Sequence, residues 1–414
     1  MPTAFQNRAL QGAQLSLVGV FFFIPIWLAA TNTLMAIMLI CWLLAGEFKL
    51  RWESVKNNPI TLPALLLYGL VIVGMSYGPA SPTEMLQHLN KYSKFLFILI
   101  AISLLQEAAW RQRCWQAFTF AMVFTLASVY ANIWFDLPWS VTHNKGWDID
   151  HTVFKDYIAQ SIMMALFVLL CIHQCLQTPQ RKIQALWAAL GTLAFVSVTH
   201  LSNGRTGYLS LLLSLAVYGL TIIHRPKKWL WVSAASLIFA LLISTSTTLS
   251  HRFHSVISDI QSYTQKSTGG ATNYQMTPSG ARLAMWKLSI SQMAKQPLIG
   301  AGTGSYHSIA KQEFTDPELC SKNCIHPHNQ FLFFGVEYGL LGILAYLFYF
   351  YRPYKFAQTL SPPHKSLLLG FLSILFVDSM THGALWLSVE SHFFTFIMAL
   401  LMSLHSKPEM KKEP

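Results

Sequence analysis

Apolar runs of about 15 to 20 residues recur along almost the whole chain, separated by short polar stretches. Each can cross a hydrocarbon core of about 30 Å as a helix. About twelve spans are expected, near 14–31, 32–46, 59–78, 95–106, 114–135, 158–176, 185–200, 207–223, 229–247, 331–351, 366–385 and 391–405. The second and fourth are short, as in tilted or partly re-entrant segments. Pro25, Pro63 and Gly74 fall inside spans, where neighbouring helices can satisfy the backbone groups they free. The expected fold is all-α: one polytopic membrane domain over 1–414, with a long polar loop at 248–330 that holds helices of its own and forms part of the active site. No internal repeat marks a second domain, and no separate cleavable leader precedes the first run, which is expected to be retained.

Inside the polar loop, Ser279 has the chemistry of a helix N-cap ahead of Ala281 to Ala294. Leu283, Trp286, Ile290 and Met293 recur there at helical spacing, an apolar stripe expected to lie on a partner or the membrane. Gln296-Pro297 ends that helix. The following Gly300-Ala301-Gly302-Thr303-Gly304 follows no strand and lacks the Lys-Ser/Thr of a phosphate loop, so it reads as a turn.

Composition agrees with a membrane protein: 53% of the 414 residues are hydrophobic and 11% charged, against about 25% charged in a soluble domain. The net charge of +12 is mostly a topology signal. With both termini inside, cytoplasmic segments hold 17 of the 29 Lys and Arg. The short loops opposite hold five: Lys91, Lys94, Lys145, Lys155 and Arg205. This asymmetry orients the chain with the long loop outside, and the basic balance gives no reason to expect a nucleic acid.

Cys41, Cys114, Cys171 and Cys175 lie in or beside spans, as small apolar packers do. Cys320 and Cys324 lie outside. An oxidising compartment favours a disulfide between them. The competing reading is a metal site shared with His326 and His328, although C-x₃-C-x-H-x-H is not a common zinc spacing.

Four places carry candidate chemistry. His326-Pro327-His328-Asn329 stands where the polar loop meets an apolar run, and a positioned imidazole there can take a proton from a hydroxyl. Pro327 stiffens the segment, and Asn329 has an amide able to orient a ring or hold a hydroxyl. Arg205, in a very short turn flanked by Gly204 and Gly207, either snorkels to headgroups or binds an anion. Arg282 lies in the first helical turn after Ser279-Gly280, where free N–H groups already favour anions and a guanidinium adds bidentate bonding to phosphate. Asp378 is a carboxylate within a span, suited to orienting an arginine or a histidine. Lys155, Asp156 and Gln160, at the mouth of the sixth span, are weaker candidates for substrate contact.

Asn203-Gly204-Arg205-Thr206, Gly280-Ala281-Arg282-Leu283-Ala284-Met285-Trp286 and His326-Pro327-His328-Asn329, in that order across about 195–345, resemble the O-antigen ligase family of Gram-negative membrane enzymes. The resemblance implies an inverting, metal-independent glycosyltransferase of the GT-C type in the inner membrane, needing no cofactor. It would move a glycan from undecaprenyl diphosphate to the lipid A-core at the periplasmic face. Arg205 and Arg282 would then clamp the diphosphate and His328 would be the base, supported by His326 and, at a less secure position, Asp378. Cys320 and Cys324 are outside the family pattern. The same motifs occur in O-antigen polymerases and protein O-oligosaccharyltransferases, and the few residues after Lys407 leave no room for the extra domain of larger protein-glycosylating relatives. A lipid-linked sugar transporter is the rival of another class, but no inverted repeat points to one.

Overall fold

The computed structural model describes residues 3–223, 258, 278–314, 320 and 324–404. Every regular element among them is a helix. In chain order these are α1 (Ala4–Phe23), α2 (Leu28–Ala45), α3 (Phe48–Val55), α4 (Thr61–Gly74), α5 (Pro82–Tyr92), α6 (Lys94–Leu104), α7 (Ala108–Ala131), α8 (Tyr157–Gln177), α9 (Arg181–His200) and α10 (Arg205–Ile222). After a gap follow α11 (Pro278–Lys295), α12 (Ser305–Glu313), α13 (Gln330–Ala357), α14 (Pro362–Thr381) and α15 (Ser388–Met402).

Six of the described helices, α2, α7, α8, α9, α10 and α13, are long and apolar enough to cross a membrane. The expected spans at 59–78 and 391–405 appear as the shorter apolar helices α4 and α15, and 95–106 as the 11-residue α6. The expected ninth span, 229–247, lies outside the described residues. Pro25 stands between α1 and α2 rather than inside a span, because a ring without an N–H there ends α1 and lets Trp27 start the next helix. Pro63 sits in the first turn of α4, where its missing N–H costs nothing.

Helices α8 and α15 are mostly apolar and buried on nearly every side, so they form the centre of the bundle. Helix α8 packs on α9, α10 and α14, and α15 packs on α6 and α8. Helix α13 lies against α4, α11 and α14.

The glycine-rich link after α11 is a docking element. Helix α13 breaks at Gly339, whose φ is 61°. The backbone groups freed there are taken up from the link: Leu340 N–H donates to Pro297 O at 2.8 Å, Ala301 N–H to Val336 O at 2.8 Å and Gly302 N–H to Glu337 O at 2.8 Å. A Cβ on Gly300 would lie 2.5 Å from the Glu337–Gly339 backbone, and φ there is +67°, so only glycine fits. This dock fixes the end of α11 against α13.

The buried face of α11 is Ala281, Met285, Leu288 and Ser289. Of the expected stripe, Leu283, Trp286 and Met293 are half-buried and Ile290 is exposed. Apolar residues surround most of this helix, so periodicity alone does not select the face that packs.

Candidate functional site

The segment 326–329 is held from three sides. The backbone N–H of His328 donates to Nδ1 of His326 at 2.9 Å, which places His326's own proton on Nε2. His326 is buried, its ring 4.4 Å from that of Phe333. Burial, then the neighbouring His328, holds it well below the usual histidine range. Trp286 Nε1, from α11, donates to the Pro327 carbonyl at 3.0 Å. Asn329 is the N-cap of α13: its Oδ1 accepts from Leu332 N–H at 3.0 Å and its Nδ2 donates to Met380 O at 3.2 Å. These bonds occupy the amide in building the loop. His328 itself adopts φ 50°, an uncommon conformation for a non-glycine residue that the surrounding bonds sustain.

Two guanidinium groups approach from α10 and α11. Arg205 is the first residue of α10, and its Nη1 donates to Ser279 Oγ at 3.1 Å. Helix α11 is described from Pro278 onward, so Ser279 lies inside it, and its hydroxyl meets Arg205. Arg282 projects three residues further along the same helix and is half-buried. Burial, then the like charge of Arg205, lowers its pKa, with Tyr157 and Asp378 acting in the opposite sense. The glycines beside Arg205 serve packing. A Cβ on Gly207 would lie 2.1 Å from Ser161 Cβ, and one on Gly204 would lie 2.9 Å from Tyr157 O. They allow α10 to press on α8, where Ser161 Oγ and Ser202 Oγ are 2.7 Å apart.

A third group completes the surroundings of His328. The ring of His382, just past α14, lies 5.3 Å from the His328 ring at an interplanar angle of 28°. His382 Nδ1 is 3.8 Å from Asp378 Oδ1 and 3.4 Å from Glu390 Oε1. Burial, then the charges of His382 and Arg282, push His328 down to about 3, so its imidazole is neutral at physiological pH. Buried Lys155 is also pulled down to about 8 by desolvation, against the attraction of Asp156 and Glu390.

Arg205, Arg282, His326, His328 and Asp378 thus meet in one place, while Lys155 faces the Glu390 side of it. Asp156 caps α8 through Ile158 and Ala159 N–H, and Gln160 Oε1 accepts from Val153 N–H at 2.9 Å. Cys320 and Cys324 are joined by a disulfide, Cα–Cα 4.8 Å, two residues before His326. His382, Glu390 and Ser279 were not singled out as site residues from the sequence. Glu390 carries the same signal as Asp378, a carboxylate among apolar residues, and His382 follows Asp378 by four residues, the spacing of neighbours on a helix.

Chemically, the site offers two fixed cations beside a neutral imidazole. That combination can bind a phosphate-bearing group and take a proton from a hydroxyl.

A family model described as O-antigen ligase matches residues 190–347. The matched stretch includes Arg205, Arg282 and the 326–329 segment, and stops short of Asp378, His382 and Glu390. An uncharacterized protein of Haemophilus influenzae (strain ATCC 51907 / DSM 11121 / KW20 / Rd) is 22% identical over 200 residues, 47% of this chain and 48% of the relative. The chain therefore spans about half the length of that curated relative.

Proposed function

Because the chain belongs to the O-antigen ligase family, we propose that it transfers a glycan from undecaprenyl diphosphate to a hydroxyl of the lipid A-core. The observation that carries this reading is the meeting of Arg205, Arg282 and a neutral His328. In the proposed step the acceptor oxygen attacks the anomeric carbon from the face opposite the diphosphate. Its proton passes to Nε2 or Nδ1 of His328, and the bond to the leaving oxygen breaks with its electron pair. The configuration inverts. The two guanidiniums meet the charge that builds on the diphosphate, so the leaving group needs no metal ion. The remaining obstacle is a weak hydroxyl nucleophile, and a positioned base contributes about 10²–10⁴-fold against it.

The same site supports a link between donor and base. Without a bound donor, the charge of Arg282 discourages protonation of His328. A bound diphosphate offsets that charge and makes His328 a better proton acceptor when the donor is in place.

The proposed setting is the inner membrane, with about twelve spans of GT-C type, both termini cytoplasmic and the site periplasmic. The single polytopic domain over 1–414 would include the 248–330 loop as a working part of the site. The charge asymmetry between the two sets of short loops supports that orientation. At the periplasmic boundary a lipid-linked donor and a lipid-anchored acceptor can share one surface.

Deleting the gene tests the choice of acceptor. Lipopolysaccharide with a bare core, together with unattached lipid-linked polymer, is the expected result. Cores capped with a single repeat would assign the chain to the polymerases. Unmodified pilin beside normal lipopolysaccharide would assign it to the protein glycosyltransferases.

A further inference from the structure

Asp378 is fully buried, and neither of its carboxylate oxygens has a hydrogen-bond partner among the described residues. A carboxylate buried in that state stays ionised only beside a cation. The nearest is His382, at 3.8 Å, which also faces Glu390 at 3.4 Å, itself buried. Two carboxylates converging on one imidazole favour its charged form. That imidazolium then lies roughly parallel to the His328 ring, 5.3 Å away.

We propose that His382, held between Asp378 and Glu390, is a positioning residue for His328: it sets the plane of the neighbouring ring and keeps that ring a free base until an acceptor hydroxyl arrives. The groups facing this pair come from every neighbouring element. They are Asp378 from α14, Glu390 from α15, Asp156 ahead of α8, Arg282 from α11, and His326 on the same loop as His328. Lys155 also feels the charge of Glu390. Of the cations in this set, His382 has the ring stacked on His328, so removing its charge acts on His328 directly. The acid form of His328 cannot accept a proton, so the charge on His382 protects activity as pH falls. Its neutral replacement leaves Asp378 and Glu390 unopposed beside His328, which raises the tendency of His328 to protonate.

The test is a ¹⁵N titration of the His328 ring in the full-length protein in lipid nanodiscs, assigned by comparison with the H328A spectrum. It compares wild type with H382Q and with H382K, which restores a positive charge. In H382Q the midpoint is expected to rise by about one pH unit, and in H382K to return toward wild type. An unmoved His328 midpoint in folded H382Q, or equal shifts in H382Q and H382K, overturns the proposal. The kinetic arm rests on the ligase reading: the acid limb of kcat for glycan transfer should move up by a similar interval in H382Q. The ring titration needs no substrate, so absence of transfer by wild type would overturn the ligase reading alone.

Discussion

Replacing Gly207 by alanine tests whether the approach of α10 to α8 places Arg205. The new Cβ would stand 2.1 Å from Ser161 Cβ, whereas carbon atoms in contact settle at about 3.5–4.0 Å. The helices must therefore separate by about 1.5 Å at that level. Arg205 is two residues away in the same first turn, and its bond to Ser279 is 3.1 Å long. A displacement of that size breaks the bond and moves one of the two cations off the leaving group. Overpacking of this kind costs about 1–3 kcal/mol of stability, and misplacing a reacting or charge-stabilising group by about 1 Å costs about 10²-fold in rate. The assay is glycan transfer in proteoliposomes, with thermal unfolding followed in parallel. The partner change, Ser161→Gly, removes the obstructing Cβ at the expense of its bond to Ser202 and about 1 kcal/mol of helix propensity. G207A with S161G should recover most of the transfer lost in G207A alone. Full transfer by G207A, or no recovery in the double variant, would refute the packing argument.

Two further outcomes follow from other contacts. Trp286→Phe keeps an aromatic ring but loses the bond to the Pro327 carbonyl, and should lower kcat about tenfold with little change in KM; an unchanged kcat would show that this tie does not position the 326–329 segment. His88 Nε2 lies 3.0 Å from Glu337 Oε1, and although burial opposes its charge, Glu337 together with Glu84 outweighs burial and raises the His88 pKa. A raised folded pKa means that the pair's stabilisation is fully present below about pH 6.5, the unfolded histidine value, and is lost as pH rises through the folded value. The Tm difference between wild type and H88Q should therefore be largest near pH 6 and shrink toward pH 9; a difference that grows with pH would contradict the pairing.

The membrane class was legible from apolar runs alone, because a bilayer imposes both length and composition on each helix. Arg205, Arg282 and His328 were legible because a cation or an imidazole beside an apolar run calls for a partner. The break in α13 at Gly339 was not, since the groups that satisfy it come from Pro297 to Gly302, far away in the chain. The capping role of Asn329 was hidden for a related reason: an amide directly after a histidine pair looks like site chemistry, and only the start of α13 shows it as a cap. His382 and Glu390 gain their meaning only where α14 and α15 come together. In each case the missing information was a contact between distant elements, while the signals that could be read were local.

The most direct measurement is transfer from an undecaprenyl-diphosphate-linked glycan to lipid A-core by the purified full-length protein in proteoliposomes, comparing wild type, R282A and H328A of equal folded content. Wild type should transfer the glycan, with each variant slower by about 10²-fold or more. Transfer by H328A or R282A at the wild-type rate would contradict the assignment of base and diphosphate clamp.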